Sequence, residues 1–473
     1  MDDRTYLLRR TADLAIDYLD GVHSRPVGRP TDAGVLRDAL SMRLPDSPVD
    51  AQTVITDLAG AVDPGLVASA GPRYFGFVVG GSQPAALAAD WLTSAWDQNA
   101  GLYVLSPAAA VVEEVAARWL VELFGLPAES SVGFTTGATM ANFTGLAAAR
   151  HALLERDGWD VERQGLFGAP EIPVVVGEEA HVTIHVSLQM LGLGRERVHR
   201  VAADEQGRMR PDGLADVLEK LDRPAIVCAQ AGNVNTGAFD PLRPIEAAVH
   251  ARGGWLHVDG AFGLWAAVSD ALRPSLDGLA SADSWTTDAH KWLNVPYDGG
   301  IAIIRHPAAH HAAMTLGAAY YVETAGAERD PYNWVAESSR RARGFTVYAA
   351  LRALGRMGLA ELIERCSRLA RRFAEGLTRE PDVRVLNDVV LNQVLVRFDG
   401  PDGDVSAGDE RTRAVIAAVQ RDGTCWLGGT TWHGLGAMRI SVSNWSTTED
   451  DVDASIGAIL RAARETAGVA ARA

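Results

Sequence analysis

The chain is expected to fold as an α/β protein. A mostly parallel sheet is covered by helices on both faces, preceded by an N-terminal helical arm and followed by a small α+β domain. Three observations predict this. Short β-branched or apolar runs alternate with helical patterns between residues 172 and 304, and that alternation means strands joined by crossover helices. Residues able to do chemistry cluster where those runs end, which is where open α/β sheets keep their ligand groups. The 473 residues are 47% hydrophobic and 22% charged, ordinary for a globular protein with a large core.

The elements follow in order. Leu7, Leu8, Ala12, Ala15, Ile16 and Leu19 recur at helical spacing, and Gly21 with Arg25-Pro26 ends that helix. Two more helical patterns, near 32–43 and 50–62, complete an arm over residues 1–72. The segment Pro72-Arg73-Tyr74-Phe75-Gly76-Phe77 is aromatic and irregular. Ser106 suits a helix N-cap and Pro107 the first helical position, opening a helix to Leu123. The run Val132 to Thr135, a small-residue turn at Gly137-Ala138-Thr139, and an Ala/Leu-rich helix to Arg150 form a strand–turn–helix unit. Strands are expected at Ile172–Val176, Val198–Ala202, Ala225–Gln230, Trp255–Asp259, Ser284–Thr287 and Gly300–Ile304, with helices at 181–191, 211–222 and 242–252. Residues 314–344 read as a long loop, and such loops in compact domains are commonly functional. The large domain is expected over 73–344. The small one covers 345–473, with a long helix, strand-like Arg384–Leu386 and Gln393–Phe398, a helix at 411–421 and a strand through Met438–Val442.

Composition excludes several classes. Net charge is −16, against the basic face that nucleic-acid binding needs. No run of 18 apolar residues spans a membrane. Met1-Asp2-Asp3-Arg4-Thr5 lacks the apolar stretch of a signal peptide. Cys228, Cys366 and Cys425 are widely spaced, with neither a zinc pattern nor a disulfide framework, so a cytoplasmic location is expected.

Of 44 Lys plus Arg, two are lysines. Lys220 lies on the charged side of an amphipathic helical pattern. Lys291 lies in Thr287-Asp288-Ala289-His290-Lys291-Trp292, between Trp285 and Trp292. Removing water from a lysine favours the neutral, nucleophilic amine that Schiff-base chemistry needs. Thirty-two residues upstream, Trp255-Leu256-His257-Val258-Asp259-Gly260-Ala261 ends a strand on a carboxylate. A lysine for the aldehyde and a carboxylate for the pyridinium nitrogen are what pyridoxal 5'-phosphate (PLP) requires.

These elements, H-V-D-x-A and A-H-K-W, resemble the group II PLP-dependent amino-acid decarboxylases, which include the aromatic-amino-acid and glutamate decarboxylases. The resemblance runs from about residue 4 to residue 450. It implies a PLP fold-type-I (aspartate aminotransferase-like) large domain and a homodimer with active sites at the interface. It implies that His181 stacks on the pyridine ring, opposite Ala261, and that Asp259 meets the ring nitrogen. Lys291, preceded by His290, would carry the cofactor. Ala138 and Thr139 would hold its phosphate, as a turn that opens a helix can. The family more often has Ser then Glu where Thr139 and Met140 stand; Thr139 keeps the hydroxyl. Asn233 stands where Thr is frequent near the cofactor. Phe77 would face the substrate side chain, Arg439 its α-carboxylate. Tyr332, with Tyr320 and Tyr321 as alternatives, would be the catalytic tyrosine of a mobile loop.

The expected activity is decarboxylation of an L-amino acid to its amine and carbon dioxide. Phe77, Trp91 and Trp96 favour an aromatic or large apolar side chain, while Gln98 and Asn99 favour a polar one. Oxidative decarboxylation to an aldehyde, and transamination, stay open on the same scaffold. A catalytically silent partner protein is the remaining alternative.

Overall fold

The computed structural model describes residues 3–28, 31–315 and 328–470, without the side chains of 467–470. The chain divides into two compact units. Unit 1 comprises Met1–Val79, Arg371–Leu386 and Val394–Ala473; unit 2 comprises Gly80–Ala370 and Asn387–Gln393. The sequence suggested boundaries after residues 72 and 344. Instead the arm groups with the C-terminal portion, and the later boundary falls inside a helix.

Unit 1 opens with α1 (Asp3–Gly21), α2 (Ala33–Leu40) and α3 (Ala51–Val62). The Asp32 and Asp50 carboxylates cap α2 and α3 by accepting from Gly34 N and Thr53 N, as short acidic side chains do at helix starts. None of the three helices has a buried residue.

Unit 2 is the α/β body. Its elements are α4 (Pro84–Trp96), α5 (Pro107–Phe124), β1 (Ser131–Thr135), α6 (Ala138–Glu155), α7 (Val161–Gln164), β2 (Val174–Gly177), α8 (Val182–Met190) and β3 (Val198–Val201). There follow α9 (Pro211–Glu219), β4 (Ile226–Gln230), α10 (Leu242–Ala251), β5 (Trp255–Asp259), β6 (Ser284–Asp288), β7 (Gly300–Ile304), α11 (Pro307–Met314) and α12 (Gly344–Leu377). The sheet order is β1-β7-β6-β5-β4-β2-β3. All neighbouring strands are parallel except β7, which is antiparallel to both β1 and β6.

The reasons are local. Ser106 caps α5 by accepting from Ala109 N at 3.2 Å, and Gly125 closes the helix in the left-handed conformation. Strands β1, β2 and β4–β7 are buried along their whole length. β2, β4 and β7 read as nearly continuous apolar runs, the pattern of a sheet covered on both faces, while β6 is mostly polar though buried. Ile226, Val176, Trp255, Leu146 and Leu188 share one core cluster between sheet and helices. Each such side chain contributes roughly 1.5–3 kcal/mol by leaving water. Gly300 allows β7 to approach the β1–α6 turn: a Cβ there would lie 2.4 Å from Gly137 C. After residue 328 the chain is tied back to β1. Arg340 donates to Phe134 O and pairs with Glu113 at 2.7 Å, both side chains 2% exposed. α12 is interrupted at Gly355, whose φ of 60° and ψ of −178° are not helical.

The remainder of unit 1 holds β8 (Val383–Val385), β9 (Gln393–Phe398), α13 (Val405–Asp422), β10 (Gly428–Trp432), β11 (Leu435–Ser441) and α14 (Glu449–Ala470), with strand order β10-β11-β9-β8. The aromatic segment after the arm joins this sheet: Phe75 N donates to Trp426 O, and Ser441 N donates to Phe75 O.

Candidate active site

β5 and β6 run side by side and parallel, with Asp259 opposite Thr286. Their C-terminal ends bring two of the expected residues onto one edge of the sheet. Asp259 is 5% exposed. Its Oδ1 accepts from Ala261 N at 3.1 Å, and its Oδ2 accepts from Asn142 Nδ2 at 3.2 Å. A buried carboxylate with hydrogen bonds to both oxygens has a fixed direction. Ala261 accepts at its carbonyl from Asp288 N, which stitches the ends of β5 and β6 together.

Lys291 follows β6 by three residues. Its Nζ lies 3.0 Å from Asp288 Oδ2, and the side chain is 20% exposed. The flanking Trp285 and Trp292 are fully buried. Trp285 Nε1 donates to Leu279 O. The carbonyl of Lys291 is crowded: a Cβ on Gly80 would come within 1.8 Å of it, so only glycine fits at position 80. His290 accepts at Nδ1 from Gly299 N and stands 3.6 Å from Asp288 Oδ1 through Nε2. Burial holds its pKa below the usual histidine value.

The turn between β1 and α6 lies beside the same ends. Gly137 is the helix N-cap and has no side chain to offer the first-turn amides. Ala138 N donates to Asp288 Oδ1 at 2.6 Å. Thr139 holds α8 through its carbonyl, which accepts from Ser187 Oγ.

His181 is the N-cap of α8: its Nδ1 accepts from Thr183 N and hydrogen-bonds Thr183 Oγ1 at 2.9 Å. Asn233 sits in the turn after β4, almost fully buried, where its Oδ1 accepts from Asn235 N and Thr236 N. Its Nδ2 has no hydrogen-bond partner among the described residues. Asp240 supports that turn by accepting from Met209 N and Gln230 N, and burial pushes its carboxyl up to about 6.

Three further expected site residues lie on other segments. Tyr332 is not on an open loop. It is 1% exposed, in the short 3-10 turn Pro331–Trp334, which packs on β1 and α11, and its N donates to Gly101 O at 2.8 Å. Tyr320 and Tyr321 lie outside the described residues. Phe77 and Arg439 belong to unit 1. There Phe77 is exposed, with a φ of 55°, and its ring stacks on Trp426 at 5.5 Å; Tyr74 stacks on Trp426 at 5.1 Å. Arg439 lies on β11 opposite Gly428, and burial lowers its pKa. Lys220 ends α9 as an exposed residue.

Three further residues of this site were not singled out in the sequence: Asn142, His257 and Asp288. For two of them a signal was present. His257 lies two residues before Asp259, and Asp288 three before Lys291.

The arrangement suits PLP. It offers one lysine amine, a buried carboxylate on the neighbouring strand, a helix N-terminus, where anions are favoured, that already holds the Asp288 carboxylate, and a buried amide N–H with no partner among the described residues. Among the described residues no group of His, Cys, Asp and Glu could hold a metal, and no helix is long and apolar enough to cross a membrane. Residues 34–399 match the family model described as pyridoxal-dependent decarboxylase conserved domain. The chain belongs to this decarboxylase family. It is a PLP-dependent amino-acid decarboxylase, a carboxy-lyase of PLP fold type I. An L-2,4-diaminobutyrate decarboxylase of Rhizobium meliloti (strain 1021) is 32% identical over 387 residues, covering 80% of this chain and 75% of that one. An aromatic-L-amino-acid decarboxylase of Bacillus atrophaeus is 25% identical over 451 residues, covering 94% and 92%. The solved structure of Oryza sativa TDC with PLP and tryptamine has a TM-score of 0.91 at 24% identity and covers 98% of each chain. That likeness carries the fold.

Proposed function

We propose that this decarboxylase acts on an aromatic or large apolar L-amino acid and releases the corresponding amine and carbon dioxide. The observation that carries the chemistry is Lys291 at the end of β6, one strand from the buried Asp259. Bound PLP supplies an aldehyde for the substrate amine and a ring that accepts the electron pair left when carbon dioxide departs. Lys291 would anchor the cofactor, and Asp259 would meet the ring nitrogen and keep its proton in place. His181 and Ala261 would line the two faces of the ring. Ala138 and Thr139 would hold the phosphate, and His290 and Asn233 would contact the cofactor, Asn233 through its unpartnered Nδ2. Phe77 and Arg439 are assigned to the substrate side chain and α-carboxylate. The aromatic preference is supported by the Bacillus relative and by the Phe77–Trp426–Tyr74 stack. The Rhizobium relative supports a second reading, a diamino acid.

The proton donor to the substrate carbon is a tyrosine of the 314–344 segment. Tyr332 is held in a buried turn, so Tyr320 and Tyr321 rank beside it. The protein is assigned to the cytoplasm, which its three buried cysteines, none in a disulfide, support. It acts as a homodimer with active sites at the interface, which the uncovered arm helices support.

Incubation with each proteinogenic L-amino acid and with 2,4-diaminobutyrate, reading carbon dioxide, amine and oxygen, tests the substrate. Amine from aromatic substrates alone is expected; amine from diaminobutyrate alone overturns the aromatic reading. Oxygen consumed in proportion to carbon dioxide would make the enzyme an aldehyde synthase. Borohydride reduction with PLP and peptide mapping should label Lys291, and label confined to Lys220 overturns its role. Phe substitutions at 320, 321 and 332 identify the donor. The true one loses amine and gains aldehyde, ammonia and peroxide.

A further inference from the structure

A hydrogen-bond chain runs beneath the site from β5 to α8. Trp255 Nε1 reaches Ser284 Oγ at 2.9 Å, and Ser284 Oγ reaches His257 Nδ1 at 2.8 Å. His257 Nε2 reaches Asn142 Oδ1 at 2.9 Å. Asn142 Nδ2 lies 3.2 Å from both Asp259 Oδ2 and Thr183 Oγ1. Thr183 Oγ1 lies 2.9 Å from His181 Nδ1. Five of these groups, Trp255, Ser284, His257, Asn142 and Asp259, are buried.

The direction of every bond follows from its ends. An indole N–H only donates, so Trp255 uses Ser284 Oγ as acceptor and leaves the serine hydrogen for His257 Nδ1. Burial pushes the His257 imidazole down to about 4, so the ring is neutral and carries one hydrogen, on Nε2. That hydrogen goes to Asn142 Oδ1. The two Asn142 Nδ2 hydrogens then match their two acceptors, Asp259 and Thr183. Thr183 passes its own hydrogen to His181 Nδ1. An independent bond agrees: the Thr183 backbone N–H, which only donates, also faces Nδ1, at 3.4 Å. The opposite polarity would turn the Asn142 oxygen onto the Asp259 carboxylate. Gly145 leaves room for the imidazole, since a Cβ there would lie 2.9 Å from two of its ring atoms.

We propose that Asn142, oriented by His257, is a positioning residue of the decarboxylase: its amide fixes the Asp259 carboxylate and, through Thr183, sets His181 with its ring hydrogen on Nε2. This rests on the reading of Asp259 and His181 as cofactor contacts. One amide thereby aligns the residue assigned to the ring nitrogen with the residue assigned to the ring face.

The test is PLP titration of the apo-protein, read by visible absorbance, with kcat and KM measured on the loaded enzyme and Tm on the apo-protein. Asn142→Leu removes the amide at similar size. It should weaken PLP binding by roughly 10–100-fold, the scale of one hydrogen bond to a charged group. It should also shift the bound absorbance and lower kcat more than it changes KM. His257→Phe should weaken binding in the same direction, and the double variant should lose no more than Asn142→Leu alone, because the histidine acts through the amide. Asn142→Asp keeps the bond to His257 but faces Asp259 with oxygen; it serves if the leucine variant does not fold, and it too should weaken PLP. PLP affinity within about twofold of wild type with unchanged absorbance, in whichever of these variants folds, overturns the proposal. So do His257 and Asn142 effects that multiply. Asp259→Asn and His181→Ala run in parallel: if neither alters PLP absorbance or turnover, the underlying reading fails instead.

Discussion

Asp288 has two neighbours that ask different things of one carboxylate. One oxygen accepts from Ala138 N at the head of α6; the other pairs with Lys291 Nζ. A negative side chain there uses the same partial positive charge that would attract a phosphate. Asp288→Asn keeps the shape and removes the charge. It should tighten PLP binding by the roughly 0.3–1 kcal/mol typical of a charge at a helix end while lowering kcat, because Lys291 loses its ionic partner. Weaker PLP binding in a titration of the apo-variant would mean that Asp288 organises the turn and does not compete for it. Asp259→Asn behaves differently: turnover should fall far more than PLP binding weakens. A variant within about tenfold of wild-type kcat, or 1.4 kcal/mol of barrier, would remove Asp259 from its role. At this scale the sequence was uneven. Lys291 stood out because the chain has one other lysine, and Asp259 because it ends an apolar run before small residues. Asn142 did not, since a polar residue in an Ala/Leu-rich helix resembles any other helical residue until its partners are known. His257 resembled a core histidine, and Tyr332 a loop residue, because neither burial nor the short turn at 331–334 is written in the local pattern.

Among the elements, strands β2 to β7 were readable as short β-branched or apolar runs, to within about two residues at their ends, although β3 is largely exposed. Their direction was not. A run that is apolar throughout looks the same both ways, so the antiparallel placing of β7 depends on the tertiary approach of Gly300 to Gly137. Helices α4 and α11 are weak signals beside Pro and Ala, whereas the 22-residue α14, with its acidic first turn, was legible and not recognised. At the opposite edge of the sheet, Asp283 just before β6 joins two histidines. His250 of α10 contacts Asp283 and Glu246, and His306 contacts Asp283, all at 2.9 Å. Burial alone would lower the His250 pKa, but the bonds and charges of Asp283 and Glu246 outweigh it and leave it raised. Burial likewise favours a neutral Asp283, and is outweighed by His306, Leu256 N and His250, which leave its pKa lowered. A raised histidine stabilises the fold fully below its unfolded pKa, about 6.5, and loses that contribution as pH rises through the folded value. A lowered carboxyl stabilises above its unfolded value, about 3.9, and fails as pH falls through the folded one. The clip is therefore strongest between these limits. His250→Gln should cost on the order of 1 kcal/mol or less near pH 6, and the Tm gap to wild type should close by pH 9. A gap independent of pH would show that His250 contributes packing alone.

For the whole molecule, the arm poses the largest question of partners. Helices α1 to α3 bury none of their residues, and Leu8, Ile16, Val35, Val54 and the nearby Leu44 are exposed, Leu44 by 86%. Apolar faces of this extent ask for a cover, and a second copy is the cover proposed above. Deleting residues 3–62 should convert the protein from dimer to monomer or aggregate in light scattering and abolish decarboxylation. A truncated chain that stays dimeric and active would remove the arm from the interface. The helical arm, the α/β body and the α+β portion could each be read from periodicity. The division into units could not, because it depends on contacts between segments hundreds of residues apart, such as Phe75 with Trp426 and Ser441.

Lys220 has a practical consequence. It is exposed at the C-terminal end of α9, and that helix returns the chain to the beginning of β4. Lys291 instead follows the finishing end of β6, a strand that points the same way as β4. The two lysine side chains therefore sit at opposite rims of one sheet, and one of them is open to solvent. Of the two lysines, a dye, cross-linker or solid support directed at amines will meet Lys220 first, at the rim away from Lys291, once the α-amino terminus is blocked. That selectivity follows from a surface that uses arginine for its positive charge.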